Sequence, residues 1–314
     1  MLKKSLALLL TCILIVLLFA HVPVVVSERV TDTLWPIGHI VSFAFWAWLL
    51  LSFNAHVKSS TSKRQIIILL LITLIIGGGI ELLQPIFLRS AQLSDLYYNL
   101  FGALAGYLFF GNFKKSKKWL FISRALYIIL FLYLIFPALQ TLKDEYEIRM
   151  DFPIIAKFDS LSELTRWKAD LPLSIVNSSD LVEITTINMN LMQITFAKET
   201  ASRAVLRFFA GDWTGYGKIK FSFFNPNQDA LKVRLIITDH IYNQSHSDHN
   251  DRFGKWLMLN SGWSEHYVDL TDIKNAPTER VMDLSNIAGV DFYMYQLHEP
   301  IKLFLSKIEL ISAH

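Results

Sequence analysis

Six polar side chains stand in otherwise apolar sequence near the start of the chain: His39, Glu81, Gln84, Arg89, Asp95 and Asn99. An imidazole, two carboxylates and a guanidinium in one region can hold a polar or anionic head group, relay a proton, or neutralise one another. Glu81 and Gln84 are spaced i, i+3, while Asp95, Asn99, Gly102 and Gly106 step by four, three and four. Each group therefore lies along one face of a helix. Gly102 and Gly106 form a G-x-x-x-G that admits a second helix closely, so the polar residues share the face that packs. Inside a bilayer an ionisable side chain costs at least roughly 2.5 to 3.5 kcal/mol, and such groups face partners or a watery cavity. Arg89 is placed to bridge Glu81 and Asp95. Two readings follow: a structural knot pinning the hairpin at Pro85, or a pocket for a polar head group. A hydrolytic or proton-relay role for Glu81 and His39 has no nucleophile or metal-ligand spacing beside it.

The elements that position these residues are apolar runs. A transmembrane helix needs about 20 mostly apolar residues, and five stretches qualify, at about 5–26, 35–53, 65–83, 96–111 and 119–139. The first follows Lys3 and Lys4, as a cleaved signal peptide would, but stays apolar past Ala20 without a small-x-small site, which favours an uncleaved anchor over that alternative. The charges divide the chain. Residues 1–140 hold 12 Lys and Arg against 4 Asp and Glu, whereas residues 141–314 hold 18 against 23. Cytoplasmic loops are enriched in Lys and Arg. With the N-terminus inside, the inner loops carry nine of these residues and the outer loops only Arg29 and Arg89. Everything after Leu139 then lies outside the cytoplasm. A basic balance made this way marks cytoplasmic membrane loops and does not point to a nucleic-acid surface. The single cysteine, Cys12, excludes a disulfide framework.

Residues 141–155 read as a charged linker, after which the period of the pattern becomes alternating. Strands are expected around 204–209, 218–224, 231–238, 255–259, 266–270, 290–295 and 301–311, separated by turn signals such as Asn225-Pro226-Asn227 and Ser261-Gly262. Many short strands in about 155 residues give a β-sandwich or jelly roll over 156–314.

The run Glu81-x-x-Gln84, Arg89, Asp95-x-x-x-Asn99-x-x-Gly102-x-x-x-Gly106, with His39, resembles the VanZ-like membrane family over about residues 30–112. The family's Asp-Lys ahead of that histidine is replaced by Trp35-Pro36. The resemblance implies a cell-envelope protein related to a teicoplanin-resistance factor, and no particular reaction. Asn225-Pro226, Asp239-His240, Asp251-Arg252-Phe253, Gly262-Trp263 and Arg280-Val281-Met282-Asp283 resemble the galactose-binding-like jelly rolls that include carbohydrate-binding modules, over about 156–312. That resemblance implies sugar binding without catalysis. On it, Asp239, His240, Tyr242, His249, Asp251, Arg252 and Trp263 are the candidate glycan contacts; by residue type Trp213 and Trp263 read as either stacking platforms or sandwich core. It also implies a structural calcium, for which Asp159 and Glu309 are the nearest candidates.

The expectation is thus a multidomain chain: an all-α transmembrane bundle of about five helices, then an all-β sandwich. It is a multi-pass protein of the bacterial cytoplasmic membrane, its C-terminal domain periplasmic or extracellular. Its partners are the lipid bilayer and an envelope glycan or lipid-linked saccharide, with no nucleic acid, no catalytic residue and no cofactor beyond that calcium. The alternative is a membrane-embedded enzyme acting on envelope lipids, with Glu81 or His39 as general base and Arg89 holding a phosphate.

Overall fold

The computed structural model describes residues 2–19, 27–87, 92–113, 117–181, 188–244 and 249–313. The chain divides into two compact units, Met1–Lys143 and Asp144–His314. The first is helical: α1 Leu2–Phe19, α2 Glu28–Phe53, the short α3 Ala55–Lys58, α4 Ser62–Leu83 continued by a 3-10 turn Gln84–Phe87, α5 Leu93–Phe110, and α6 Lys117–Asp151. Side-chain caps fix several starts. Ser27 accepts from the Val30 amide, Asn54 from Val57 and Thr61 from Arg64, which satisfies amides that have no helical partner.

Among the described residues, three helices are long and apolar enough to cross a membrane, Arg29–Phe53, Ser62–Phe87 and Lys117–Asp151. Five were expected. The first run is shorter, Ser5–Phe19, and the rest of it, 20–26, lies outside the described residues. In α5 the buried Asp95 and Asn99 dilute the apolar character of an 18-residue helix. The expected linker is corrected too: α6 runs on through Asp151, and the division between the units falls inside it. Asp144 is the reason, because its carboxylate is buried and takes Arg166 Nη2 at 2.9 Å and Nε at 3.0 Å. What reads as a charged connector contains one half of a buried ion pair.

Small residues set the closest helix contact. A Cβ at Gly102 would meet the Ile40 carbonyl oxygen, and one at Gly106 would meet Ala47 Cβ. The α5 backbone therefore lies against α2, and this seam positions Asn99 and Asp95 one and two turns before it. Ile75, Leu82, Ile86, Phe121, Ile129 and Tyr133 all point outward, an apolar exterior suited to lipid.

The second unit is a sandwich of two antiparallel sheets. Its strands are β1 Ile154–Ala156, β2 Trp167–Ala169, β3 Ser174–Asn177, β4 Asn190–Phe196, β5 Ala201–Leu206, β6 Tyr216–Asn225, β7 Leu231–Asp239, β8 Phe253–Leu259, β9 Gly262–Asp269, β10 Ile287–Tyr295 and β11 Ile301–Ser312, with the short helices α7 His240–Gln244 and α8 Leu270–Lys274 between them. One sheet runs β3-β4-β11-β6-β9, with β1 also on β11; the other runs β2-β5-β10-β7-β8. All seven expected strands form. The strands β1 to β4 were not foreseen, three of them having only three or four residues. The inner faces meet through Phe292, whose ring stands edge-on to Phe221 and Phe223 at 5.7 and 5.5 Å. Trp213 is fully buried in the same core.

Gly102→Val places a branched Cβ against the Ile40 carbonyl. It is expected to cut the yield of monodisperse, detergent-extracted protein several-fold, read by gel filtration. Wild-type yield would show that α2 and α5 do not meet there.

Candidate functional sites

Helices α2, α4 and α5 bring part of the polar set together. His39 Nδ1 lies 2.7 Å from Asn99 Oδ1, and its Nε2 lies 3.3 Å from Asp95 Oδ2. The Glu81 carboxylate accepts the Gln92 amide at 2.8 Å, so it ties the end of α4 to the start of α5. One ligand atom each from His39, Glu81 and Asp95 lies within 4.8 Å of the others, and all three residues are buried. Gln84, 1% exposed, has no hydrogen-bond partner for either amide atom among the described residues, and neither does Asn99 Nδ2. Arg89 lies outside the described residues. The spacing in the chain gave no sign of a ligand set, because its members come from three helices.

The glycan candidates divide. Asp239 is completely buried and held by Arg280, with Nη1 and Nη2 at 2.5 and 2.8 Å, and by the amides of Asp283 and Tyr242. Burial raises its pKa, but the Arg280 hydrogen bonds and the two amides outweigh that and hold it below the usual carboxylate value. Arg280 Nε reaches Asp251 at 2.6 Å. Arg252 lies beside the Tyr242 ring and 2.6 Å from His249 Nδ1. His240 is exposed at the start of α7. These residues brace the loop between β7 and β8 against the segment before β10. Trp263 is elsewhere, on β9 of the other sheet, packed on Phe224 at 5.3 Å. Asp159 pairs with Lys157, and Glu309 with Lys220 and Lys307. Among the described residues those two carboxylates belong to no common ligand group.

A different surface has the composition of a ligand site, and it follows from strand period. On β10, Val290, Phe292 and Met294 face the core, so Gly289, Asp291, Tyr293 and Tyr295 face outward. Register then assembles rows across the sheet. Arg203 on β5 and Arg234 on β7 flank Tyr293, and Trp256 on β8 lies beyond Arg234. The Tyr293 and Tyr295 rings stack at 5.9 Å and 11°, and Trp256 stands 5.8 Å from Tyr295. Lys232 Nζ lies 4.6 Å and the Arg234 guanidinium 5.4 Å from the Trp256 ring centre. Gly254 leaves the room that the Arg234 head occupies. Arg203 Nη1 donates to the Tyr293 hydroxyl at 3.3 Å.

At one end of this strip Gly289 is a floor. A Cβ there would lie 2.9 Å from Thr238 Oγ1, 3.1 Å from Arg207 Nη1 and 3.2 Å from Asp291 Oδ1. Asp291 is 6% and Thr238 3% exposed, and neither Asp291 Oδ1 nor Thr238 Oγ1 has a hydrogen-bond partner among the described residues. Burial pushes the Asp291 carboxyl up to about 6 against the pull of Arg207, Arg203 and Arg252. Reading the loop for polar density missed this face. The detectable signal was the alternation Asp291-x-Tyr293-x-Tyr295 on a strand.

No family model matches the chain, so none supports the VanZ-like resemblance, and no curated protein matches it. Several solved structures are similar to about half of the chain, the β-unit. A family 11 carbohydrate-binding module from Clostridium thermocellum, in complex with a β-1,3-1,4-mixed-linked tetrasaccharide, is 17% identical over 51% of this chain and 95% of that one, with a TM-score of 0.38. An exo-β-agarase is 11% identical over 51% of this chain and 25% of its own, at 0.40. The module TmCBM61, in complex with β-1,4-galactotriose, is 9% identical over 48% and 91%, at 0.30. At these scores neither the sandwich nor its outer face is taken from them; both come from the register and side chains above.

Two substitutions separate the carboxylates. Asp291 binds its proton more tightly folded than unfolded, so its contribution to stability falls as pH rises from about 4 to about 6. Asp291→Asn is expected to raise stability at pH 7 by roughly 2–3 kcal/mol and to match wild type below pH 4, measured by urea unfolding of the sandwich transition. Arg280→Met strands the buried Asp239 carboxylate. A loss of about 3–5 kcal/mol at pH 7 is expected in the same assay, and a loss under 1 kcal/mol would overturn the bracing role.

Proposed function

We propose that this chain is a membrane-anchored, non-enzymatic saccharide-binding protein of the cell envelope, and that its ligand lies across the outer face of the β2-β5-β10-β7-β8 sheet. The observation that carries this is the pairing of an outward aromatic strip, exposed Tyr295 and Trp256 with half-buried Tyr293, with two buried oxygens that lack partners among the described residues, Asp291 Oδ1 and Thr238 Oγ1. Aromatic faces cover the apolar C–H faces of sugar rings, and a buried acceptor without a partner gains most from a ligand hydroxyl. Gly289 and Tyr295 are six residue steps apart along the strand, roughly 20 Å, so the face suits a chain of sugars.

The cations narrow the class. Lys232 and Arg234 sit over the Trp256 ring, and Arg203 reaches Tyr293, so a saccharide bearing carboxylate or phosphate groups meets positive charge at two of the three aromatic rings. The three long apolar helices supply the anchor, and the Lys and Arg distribution favours an inside N-terminus with the β-unit outside. That orientation gives the face access to wall glycans and lipid-linked saccharides. The α2, α4 and α5 residues keep the VanZ-like pattern, which is the sole support for a role near glycopeptide resistance.

Full-length protein in nanodiscs is to be titrated with neutral and acidic envelope glycans by calorimetry. Binding to an acidic glycan is expected, weakened roughly tenfold, about 1.4 kcal/mol, by Tyr295→Ala or Trp256→Ala, and weakened again as salt rises from about 0.05 to 0.3 M. Absence of binding to every glycan would sink the proposal, and salt-independent preference for neutral glycans would remove the acidic class.

A further inference from the structure

The outer sheet face leaves the helical unit's buried polar cluster without a role. We infer that His39, Glu81 and Asp95 form a binding site for one divalent transition-metal ion of the zinc or manganese class.

The argument starts from the imidazole. Asn99 Oδ1 is an acceptor 2.7 Å from His39 Nδ1, so the ring proton belongs on Nδ1. The Nε2 lone pair of the neutral ring then points at Asp95 Oδ2, 3.3 Å away. Two electron-rich atoms facing each other in a buried site need a proton or a metal cation between them, and the third ligand atom beside them favours the metal. A separation of 3.3 Å is that of two ligand atoms each about 2.0–2.2 Å from one ion at a near-tetrahedral angle. Metal-bound histidines are held in this way, with the far ring nitrogen donating to a fixed acceptor.

Glu81 supplies a third ligand atom within 4.8 Å, a distance that a small side-chain swing closes. Its other anchor is the Gln92 amide at 2.8 Å. The ligands are presented on α2, α4 and α5, two of which the Gly102 and Gly106 seam holds together. Gln84, one turn beyond Glu81, is a second and independent sign of a ligand: a buried amide whose oxygen and nitrogen both lack partners among the described residues. One nitrogen and two carboxylate oxygens suit zinc, manganese or iron(II) better than calcium, which takes six to eight oxygens. Three protein ligands leave a coordination position open.

Tag-free full-length protein in nanodiscs, stripped with EDTA, is to be loaded with Zn2+ or Mn2+ alone and desalted, and its metal content measured by plasma mass spectrometry. About one ion per chain is expected for at least one of the two, by the single-site count above. His39→Ala and Asp95→Asn are expected to lose at least tenfold of it, while exposed His56→Ala keeps it. X-ray absorption at the metal edge of the loaded wild type gives a test that needs no variant, and one imidazole in a mixed nitrogen and oxygen shell is expected. Wild type without metal for both ions, an ion retained after His39→Ala, or an all-oxygen shell would each overturn the site. The first would make His39 and Asp95 a buried ion pair.

Discussion

The β-unit depends on how Phe292 is held. Its ring stands edge-on to Phe221 and Phe223 of the facing sheet and stacks beside Trp167 at 6.2 Å. This fixes which side of β10 is inward, because a strand shows alternate residues to opposite faces and a slip of one residue would exchange them. With Phe292 inward, Asp291 and Tyr293 are outward. The outer row from Arg203 through Tyr293 and Arg234 to Trp256 follows from antiparallel register. The surface proposed to bind saccharide is thus the reverse side of the core contact.

In the helical unit the corresponding constraint is the absence of side chains at Gly102 and Gly106. Two backbones that close leave little room for water, so polar groups on the same face must meet one another or a bound ion. His39 answers Asn99 with one nitrogen and Asp95 with the other. The same closeness that makes the cluster costly to bury also gives it defined geometry, which an ion site needs.

Two buried aspartates show how structural and ligand-facing polar groups separate. Asp239 and Asp291 both lie in the β2-β5-β10-β7-β8 sheet, at most 6% exposed. Asp239 is saturated by one guanidinium and two amides, and these overcome the effect of burial on its carboxyl. Asp291 has arginines near it but no hydrogen bond at Oδ1 among the described residues, so burial dominates and its carboxyl stays up at about 6. Burial alone does not mark a site. A buried group whose solvation has not been replaced does.

Much was determined by local pattern. Apolar runs placed α2, α4 and α6, since length and hydropathy are properties of a segment; the i, i+3 and i, i+4 steps placed Asp95, Asn99, Gly102 and Gly106 on one helix face; and alternation placed all seven of the strands from β5 to β11. Where partners are distant, only the tertiary structure decided. Asp144 reads as solvated charge until Arg166, 22 residues on, buries it, and α6 then absorbs the expected linker. The loop from Asp239 to Arg252 reads as a glycan site by density, yet Arg280 takes up two of its carboxylates. The aromatic strip draws its members from β10 and β8, and the ligand trio from three helices. Pattern in the chain reports what a residue's own segment does, because helix and strand periods are local; which chemistry results depends on what packing brings from far along the chain.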